Sequence, residues 1–213
     1  VLTRVISFRV TLTMTQPPSP ISASMLDRLQ AGLQRTSAAL AALEPRLGEV
    51  VALGETIVSA LESGGTLFTA GNGGSAAQAL HLTEELIGRY EADRPPIRSV
   101  SLVGDPSAMS CIANDFGFET VFERPLRGLA RPGDVLLAMS TSGQSENILR
   151  CLQAARELGV TSTALLGRDG GPALALCEQA IVVPAQDSAT IQDIHQVVIH
   201  LLCEMIEASV LES

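Results

Sequence analysis

The chain has 213 residues, enough for one domain with a large core. Hydrophobic residues make up 46% of it and charged residues only 17%. This low charged fraction indicates further buried surface between subunits. Its net charge of −9 argues against a nucleic-acid surface, because phosphate backbones are bound by clustered lysine and arginine. The four cysteines are widely spaced and we find no apolar run long enough to span a bilayer, so we expect a cytoplasmic protein without a membrane segment.

Residues 1–23 are predicted to form a flexible N-terminal extension to a single domain over 24–213. Arg4 and Arg9 interrupt the first apolar stretch, which argues against a secretory signal. Three prolines then oppose a regular helix: Pro17, Pro18 and Pro20.

A helical pattern opens the domain, since apolar residues recur at three- and four-residue intervals over residues 24–63, with Pro45 as a kink or break. Five short apolar runs are then predicted to be strands, at 66–70, 99–103, 134–139, 161–166 and 179–183. Helical segments separate them, and a long helix is predicted over 188–208. This alternation predicts an α/β fold with a parallel sheet of five strands and an N-terminal helical extension. In the common three-layer, doubly wound arrangement the strands would have the flavodoxin-like order 2-1-3-4-5.

Two loops rich in glycine and hydroxyl groups follow the first and third strands: the GNGGS loop (residues 71–75) and the STSGQS loop (residues 140–145). Each precedes a helix, where unpaired amides and the helix dipole favour an anion. In the predicted strand order the two loops flank one crevice, so the sequence predicts a phosphorylated ligand held without lysine. Either loop alone could equally be an ordinary turn.

The GNGGS loop also permits a dinucleotide-binding interpretation. Gly71, Gly73 and Ala76 satisfy the pattern G-x-G-x-x-A after a strand. That pattern also needs an acidic residue about 20 positions later, at the end of the second strand. The nearest acids fall inside a helix and Asp105 comes late, so a nucleotide-dependent oxidoreductase is the weaker alternative.

Polar side chains at helical spacing form a candidate catalytic group. His81 and Glu85 lie one turn apart on a helix, and Gln192 and His200 lie two turns apart with an offset of about 80°, so the four could meet. From spacing alone, a solvated pair on a helix surface is the commoner explanation for His81 and Glu85. His195 lies about 140° around its helix from His200, which favours a structural role or a subunit contact.

Five segments resemble the sugar isomerase (SIS) domain proteins and, within them, the bacterial phosphoheptose isomerases, over about residues 24–210. They are AGNGGSAAQALH, EELIGRY, CIANDFGF, GDVLLAMSTSG and IQDIHQVVIH, in the family's order and close to its spacing. The resemblance implies an aldose–ketose isomerase that converts sedoheptulose 7-phosphate to D-glycero-D-manno-heptose 7-phosphate, the first step of nucleotide-activated heptose biosynthesis. It also implies a homotetramer with active sites between subunits.

The resemblance further implies one zinc ion per subunit, bound by His81, Glu85, Gln192 and His200. It implies Glu85 and His200 as the acid/base pair of an enediolate mechanism. Substrate contacts are implied at Asn72, Gly73, Gly74, Ser75, Glu85, Asn114, Asp115, Ser140, Thr141, Ser142, Ser145 and Gln192. A hydrogen-bonding role is an alternative for Gln192, because zinc usually takes cysteine, histidine or carboxylate ligands.

One departure from the family concerns Ala189 and Thr190, because relatives usually carry an arginine immediately before the Ile-Gln pair. The main rival function is a non-catalytic SIS protein that binds a sugar phosphate or the bacterial replication initiator. Those initiator-binding relatives lack the full acid/base and metal set, so Glu85 and His200 together favour catalysis. We assign no role to Glu84, and Tyr90 is interpreted as a packing residue.

Overall fold

The computed structural model describes residues 20–212, with side chains from Ser24 onward. The chain divides into two compact units, residues 1–34 and 35–213. Of the first unit, the structure describes only residues 20–34, which form the first part of helix α1. The second unit contains the sheet. The flexible extension predicted for residues 1–23 lies mostly outside the described residues, so it and the domain boundary remain predictions.

The described residues form eight α-helices and five strands. The helices are α1 Pro20–Leu43, α2 Leu47–Glu62, α3 Gly74–Ile87, α4 Pro106–Phe116, α5 Glu123–Leu129, α6 Glu146–Leu158, α7 Gly171–Leu174 and α8 Ser188–Glu212. The strands are β1 Leu67–Gly71, β2 Ser99–Ser101, β3 Val135–Ser140, β4 Thr161–Gly167 and β5 Gln179–Val183. A 3-10 turn containing Pro45 separates α1 from α2, as the predicted break requires.

The five strands form one parallel sheet in the order β2-β1-β3-β4-β5, which confirms the predicted fold class. Successive residues of β3 point to opposite faces: Leu137 joins the core beneath α2, α3 and α8, and Leu136 joins the core beneath α5 and α6. Every residue of β3 is buried. The sheet is therefore the middle of three layers, with helices covering both faces.

α8 is, among the described residues, the one helix that is long and apolar enough by length and composition alone to cross a membrane. Its apolar residues instead contribute to the core, where Val198, Ile199 and Leu202 are fully buried against the helices that flank α8.

Buried hydroxyls fix α3 to the sheet. The Thr69 hydroxyl of β1 donates to the Ala79 carbonyl at 2.9 Å and lies 2.9 Å from the Thr83 hydroxyl. The Ser99 hydroxyl of β2 donates to Thr83 at 3.2 Å. Because these bonds are directional and buried, they set the position of α3 along β1 and β2 more sharply than apolar packing does.

His195 fixes α8 to the same face of the sheet. Its imidazole is fully buried, and its Nε2 lies 3.1 Å from the Leu166 carbonyl of β4. Burial lowers the pKa of His195 to about 4, and the bond to Leu166 opposes this only in part. The ring is therefore neutral at pH 7 and donates one hydrogen bond, which supports the structural role over the subunit contact.

We expect His195 to make folding acid-sensitive. Its pKa is lower in the folded chain than the 6.5 of an unperturbed histidine, so its stabilisation is present above pH 6.5 and is lost as the pH falls toward 4. The loss from this group is roughly 3 kcal/mol. The variant His195→Gln keeps an amide donor for Leu166 but does not titrate.

Reversible urea unfolding in chelator, repeated between pH 7.5 and 4, measures this effect. We expect a shallower decline of the unfolding free energy in His195→Gln than in the unaltered chain. The value at pH 7.5 provides the baseline for each protein, and parallel declines would show that His195 contributes nothing to the acid sensitivity.

Candidate active site

The two predicted loops meet at one crevice. β1 and β3 are neighbours, and Gly71 pairs with Met139 at their carboxyl ends. The GNGGS and STSGQS loops follow these two ends directly. An open cleft of about 450 Å³ lies there, with Asn72, Ser145 and Arg150 among its walls. The sheet thus places both loops at the switch point where doubly wound folds bind ligands.

The GNGGS loop needs its glycines because the backbone turns sharply onto α3. A Cβ on Gly71 would lie 2.4 Å from the Ser75 carbonyl, and Gly73 has a φ of +55°. The Ser75 amide donates to the Asn72 carbonyl at 3.0 Å. A Cβ on Gly74 would lie 2.5 Å from the Gln192 carboxamide, so Gln192 of α8 packs directly against the start of α3.

Asn147 is a residue of this crevice that the sequence analysis missed. Its side-chain amide donates to Asn72 Oδ1 at 2.9 Å, and the Asn72 amide donates to Asn147 Oδ1 at 2.8 Å. Asn147 is buried in the first turn of α6. The reciprocal pair therefore holds the two loops at a fixed separation. Its position two residues after the STSGQS loop was the available signal.

Hydroxyls fold the STSGQS loop. The Ser140 hydroxyl accepts from the Gly143 amide at 3.0 Å, and the Ser142 hydroxyl accepts from the Gln144 amide at 3.2 Å. The Thr141 hydroxyl lies 3.2 Å from that of Ser188, at the start of α8. Ser145 occupies the N-cap position of α6 but makes no side-chain capping bond. Its hydroxyl can therefore bind a ligand instead of capping the helix.

The structure brings three of the four predicted metal ligands together. His81 Nε2 of α3 lies 3.2 Å from His200 Nε2 of α8 and 3.5 Å from Glu85 Oε1. We call His81, Glu85 and His200 the imidazole–carboxylate group. The side chains of His81 and Glu85 are 35% and 16% exposed, so the group is accessible to a small ligand yet partly shielded from water.

The side chain of Gln192, the fourth predicted ligand, lies against Gly74. The side-chain amide of Gln196 contacts the imidazole–carboxylate group instead. Gln196 Nε2 is 3.0 Å from His200 Nε2, and the Gln78 amide donates to the Gln192 carbonyl at 2.8 Å. The sequence analysis missed Gln196. Its spacing of four residues from both Gln192 and His200 placed it on their helix face, and this was the available signal.

Two further residues border the imidazole–carboxylate group. Glu84, to which we assigned no role, has a carboxylate oxygen 3.7 Å from His81 Nδ1 and belongs with His81 and Glu85 to a cluster of candidate ligands. The Tyr90 ring lies 5.9 Å from the His200 ring. Burial, followed by the charges of Glu204 and Glu91, raises the pKa of Tyr90, so its phenol is protonated at neutral pH and packs beside His200.

The donor set fits a divalent cation. Zinc binds imidazole nitrogen and carboxylate oxygen at 2.0–2.2 Å in a tetrahedron, whose edges are then about 3.3 to 3.5 Å long. The separations from His81 Nε2 to His200 Nε2 and to Glu85 Oε1, 3.2 and 3.5 Å, are close to such edges. The ligand atoms that all lie within 4.8 Å of one another are those of His81, Glu84 and Glu85, so Glu84 is a further candidate ligand. Two imidazole nitrogens facing each other also leave at most one proton between them, which a cation would replace.

Asn114 and Asp115 lie apart from the imidazole–carboxylate group. Both are exposed in the last turn of α4, where the Asn114 amide donates to Asp115 Oδ1 at 2.7 Å. The Cys111 thiol donates to the other oxygen of Asp115 at 3.6 Å. Within the described chain no side chain of α4 is fully buried, although Met109, Ile112 and Ala113 pack against the core on one face.

The departure at Thr190 has a local explanation. Thr190 is buried, and its amide donates to Asp187 Oδ1 at 2.9 Å. This bond lowers the pKa of Asp187 and caps the start of α8. The position therefore supports the helix terminus and offers no side chain that replaces the arginine of relatives.

Comparison with known proteins identifies the family of this chain. Residues 33–167 match the model of the SIS domain family. A phosphoheptose isomerase from Bradyrhizobium sp. is 42% identical, and the match covers 93% of this chain and 98% of that one.

Solved structures give the same result. A phosphoheptose isomerase from Neisseria gonorrhoeae has a TM-score of 0.82 and 35% identity, covering 86% of this chain and 99% of that chain. One from Francisella tularensis has a TM-score of 0.81 and 30% identity, covering 89% and 100%. The chain therefore belongs to the SIS domain family and, within it, to the phosphoheptose isomerase family of enzymes.

Proposed function

We propose that the chain is an aldose–ketose isomerase that converts sedoheptulose 7-phosphate to D-glycero-D-manno-heptose 7-phosphate, at the first step of nucleotide-activated heptose biosynthesis. Membership of the phosphoheptose isomerase family supports the reaction class. The observation that carries the proposal is the convergence of His81, Glu85 and His200 from α3 and α8. A non-catalytic sugar-phosphate-binding protein has no need of such a group.

The phosphate end of the substrate is assigned to the crevice. Backbone amides at the starts of α3 and α6 supply positive potential there, and the hydroxyls of Ser75, Ser142 and Ser145 supply donors. His81 lies seven residues after Gly74, about 10 Å along the helix axis. A seven-carbon sugar with phosphate on its last carbon can span this separation, which places the first two carbons near the imidazole–carboxylate group.

The residues of the group suit a proton transfer through an enediolate. Glu85 takes the proton from C1 of the ketose and returns it to C2, and His200 gives a proton to the C2 oxygen and takes one from the C1 oxygen. Glu85 Oε1 faces His81, so the second carboxylate oxygen is the one assigned to the carbon-bound proton. Acid/base catalysis of this kind contributes about 10² to 10⁴ in rate.

We assign a divalent cation, zinc by the family's pattern, to His81, Glu85 and His200, with Gln192 as a fourth ligand or a hydrogen-bonding residue. When bound, such a cation polarises the carbonyl and stabilises the developing oxyanion by several kcal/mol. His200 Nε2 cannot bind a cation and carry a proton in the same state. With a cation on Nε2 the ring keeps its proton on Nδ1, so the two proposed roles use different nitrogens of the ring, and metal affinity and turnover of His200 variants report on them separately.

The oligomeric state follows as part of the proposal. Asn114 and Asp115, which we assign to substrate, are exposed at the end of α4 and apart from the imidazole–carboxylate group. A neighbouring subunit in a homotetramer would bring such residues to the site of another chain. The exposed end of α4 and the charged fraction of only 17% support this arrangement. A cytoplasmic location remains a prediction.

Incubation with sedoheptulose 7-phosphate tests the function directly. We expect metal-replete protein to form the aldoheptose 7-phosphate and chelator-treated protein to lose the activity, with recovery on addition of zinc, because the carbonyl is then no longer polarised. Conversion that persists after verified metal removal would support the isomerase activity but contradict the proposed role of the metal. Absence of conversion by the metal-replete protein would instead favour a sugar-phosphate-binding role.

Replacement of the proposed carbon base gives a second prediction. We expect Glu85→Gln to lower kcat by about 10² to 10⁴, because an amide cannot take the proton from carbon. The control Glu157→Gln makes the same change on an exposed residue of α6 and should retain activity. Circular dichroism and the unfolding midpoint check that both variants fold, and full turnover by Glu85→Gln would refute the assignment.

A further inference from the structure

A buried ion pair lies beyond the C-terminal end of α3. The side chain of Arg94 is 0% exposed and that of Glu207 is 6% exposed, and Arg94 Nε donates to Glu207 Oε1 at 3.0 Å. Removing two charges from water is costly, so a buried pair persists only when further hydrogen bonds satisfy both groups. The remaining contacts of both residues therefore indicate what the pair holds in place.

Arg94 caps the helix that carries the proposed carbon base. Its Nη2 donates to the Glu85 carbonyl at 2.7 Å, and its Nη1 donates to the carbonyls of Leu86 at 2.8 Å and Pro95 at 3.1 Å. Glu85 and Leu86 belong to the last turn of α3, whose carbonyls have no partner further along the helix. One planar guanidinium thus fixes the backbone of Glu85 itself.

Glu207 joins this arrangement to α8. Its second oxygen accepts from the amides of Ala92 at 2.9 Å and Glu91 at 3.1 Å, in the segment between α3 and β2. Glu207 follows His200 by seven residues, about two turns, so the two lie on the same side of α8. The Arg94–Glu207 pair therefore connects the last turn of α3 to α8, about two helical turns beyond His200.

Apolar packing between α3 and α8 cannot by itself set their axial register. Leu82 and Leu86 of α3 share a core cluster with Ile199 and Leu202 of α8, and such contacts are non-directional. Charge-assisted hydrogen bonds from a planar guanidinium fix both distance and angle. A slide of one helix along the other would break these bonds before it disturbed the apolar contacts much.

We propose that Arg94 and Glu207 are positioning residues that set the register of α3 against α8 so that Glu85, His81 and His200 converge. The expected effect on kcat rests on the proposed function. The expected effect on the positions of His81 and His200 does not. Neither residue touches the substrate in this assignment. Their effect is transmitted through the Glu85 backbone and through α8.

The test compares carboxylate-to-amide changes at two buried sites. Glu207→Gln removes the charge that faces Arg94. Asp134→Asn is the matched control, because Asp134 is also buried and accepts from two backbone amides, those of Thr66 at 2.8 Å and Arg131 at 2.7 Å. Asp134 lies immediately before β3, at the amino edge of the sheet and away from the loops of the crevice.

We expect Glu207→Gln to lower kcat by about 10- to 100-fold with little change in KM, since misplacement of a reacting group by about 1 Å has effects of this size. The affinity for zinc, measured by competition with a chelating dye, should fall at least tenfold. Asp134→Asn should lose stability but retain kcat and zinc affinity under conditions where it is folded. Equal losses of kcat in both variants would show that the effect comes from general destabilisation, and this would overturn the proposal.

Arg94→Lys and Arg94→Met provide the second series. Lysine keeps the charge but cannot serve Glu207 and the Glu85 and Leu86 carbonyls together, so we expect activity and zinc affinity in the order arginine, lysine, methionine. This series remains available if Glu207→Gln does not fold. Folded Arg94→Lys with the kcat and zinc affinity of the unaltered chain would overturn the proposal.

Ring signals of the histidines separate this inference from the proposed function. The chain contains three histidines, and the His195→Gln variant identifies one of the three Hε1 resonances in 13C-histidine-labelled protein. In metal-free protein we expect Arg94→Lys and Glu207→Gln to shift the His81 and His200 signals, and Asp134→Asn to leave them in place. Unshifted signals would overturn the proposal even in a chain with no isomerase activity.

Discussion

The packing of α8 beside α3 is the contact on which the candidate site depends. Each helix is fixed independently to the sheet: α3 through the hydroxyls of Thr69 and Thr83, and α8 through the bond from His195 to the Leu166 carbonyl. Because the parallel strands are themselves in fixed register, these bonds hold each helix near its place on the sheet, and the Arg94–Glu207 pair is proposed to set the final register of one helix against the other. Imidazoles from separate helices can therefore face each other at 3.2 Å without a covalent link.

The crevice shows how an acidic chain can receive an anion. In the proposed phosphate site, backbone amides would take the place of lysine side chains. A Cβ on Gly143 would overlap the Gly170 carbonyl, so the STSGQS loop packs directly against the turn after β4. Helix starts then present amides to the crevice, and their partial charges do not depend on the net charge of −9. The glycines are needed for packing as much as for the ligand.

Sequence periodicity was enough to predict the strands and the positions of both loops, since each depends on residues close together in the chain. The strand order depends on how distant strands pair, and it came from the common doubly wound arrangement and the family resemblance rather than from periodicity. The same spacing rules placed His81 and Glu85 on one helix face. They did not find the Asn72–Asn147 pair or the Arg94–Glu207 pair, whose members are 75 and 113 residues apart. Such pairs depend on how whole helices pack, and an isolated asparagine or arginine in a sequence carries no sign of its partner.

α3 also supplies an electrostatic reason for the direction in which the proposed substrate binds. Its start, at the crevice, carries the positive end of the helix dipole and favours the phosphate. Its last turn contains Glu85 and carries the negative end, which favours a cation beside the carboxylate. Arg94 lies at this negative end, but Glu207 offsets its charge, so the pair can order the last turn without repelling a divalent cation from the imidazole–carboxylate group. A lone arginine at that position would hold the same carbonyls and weaken the cation site.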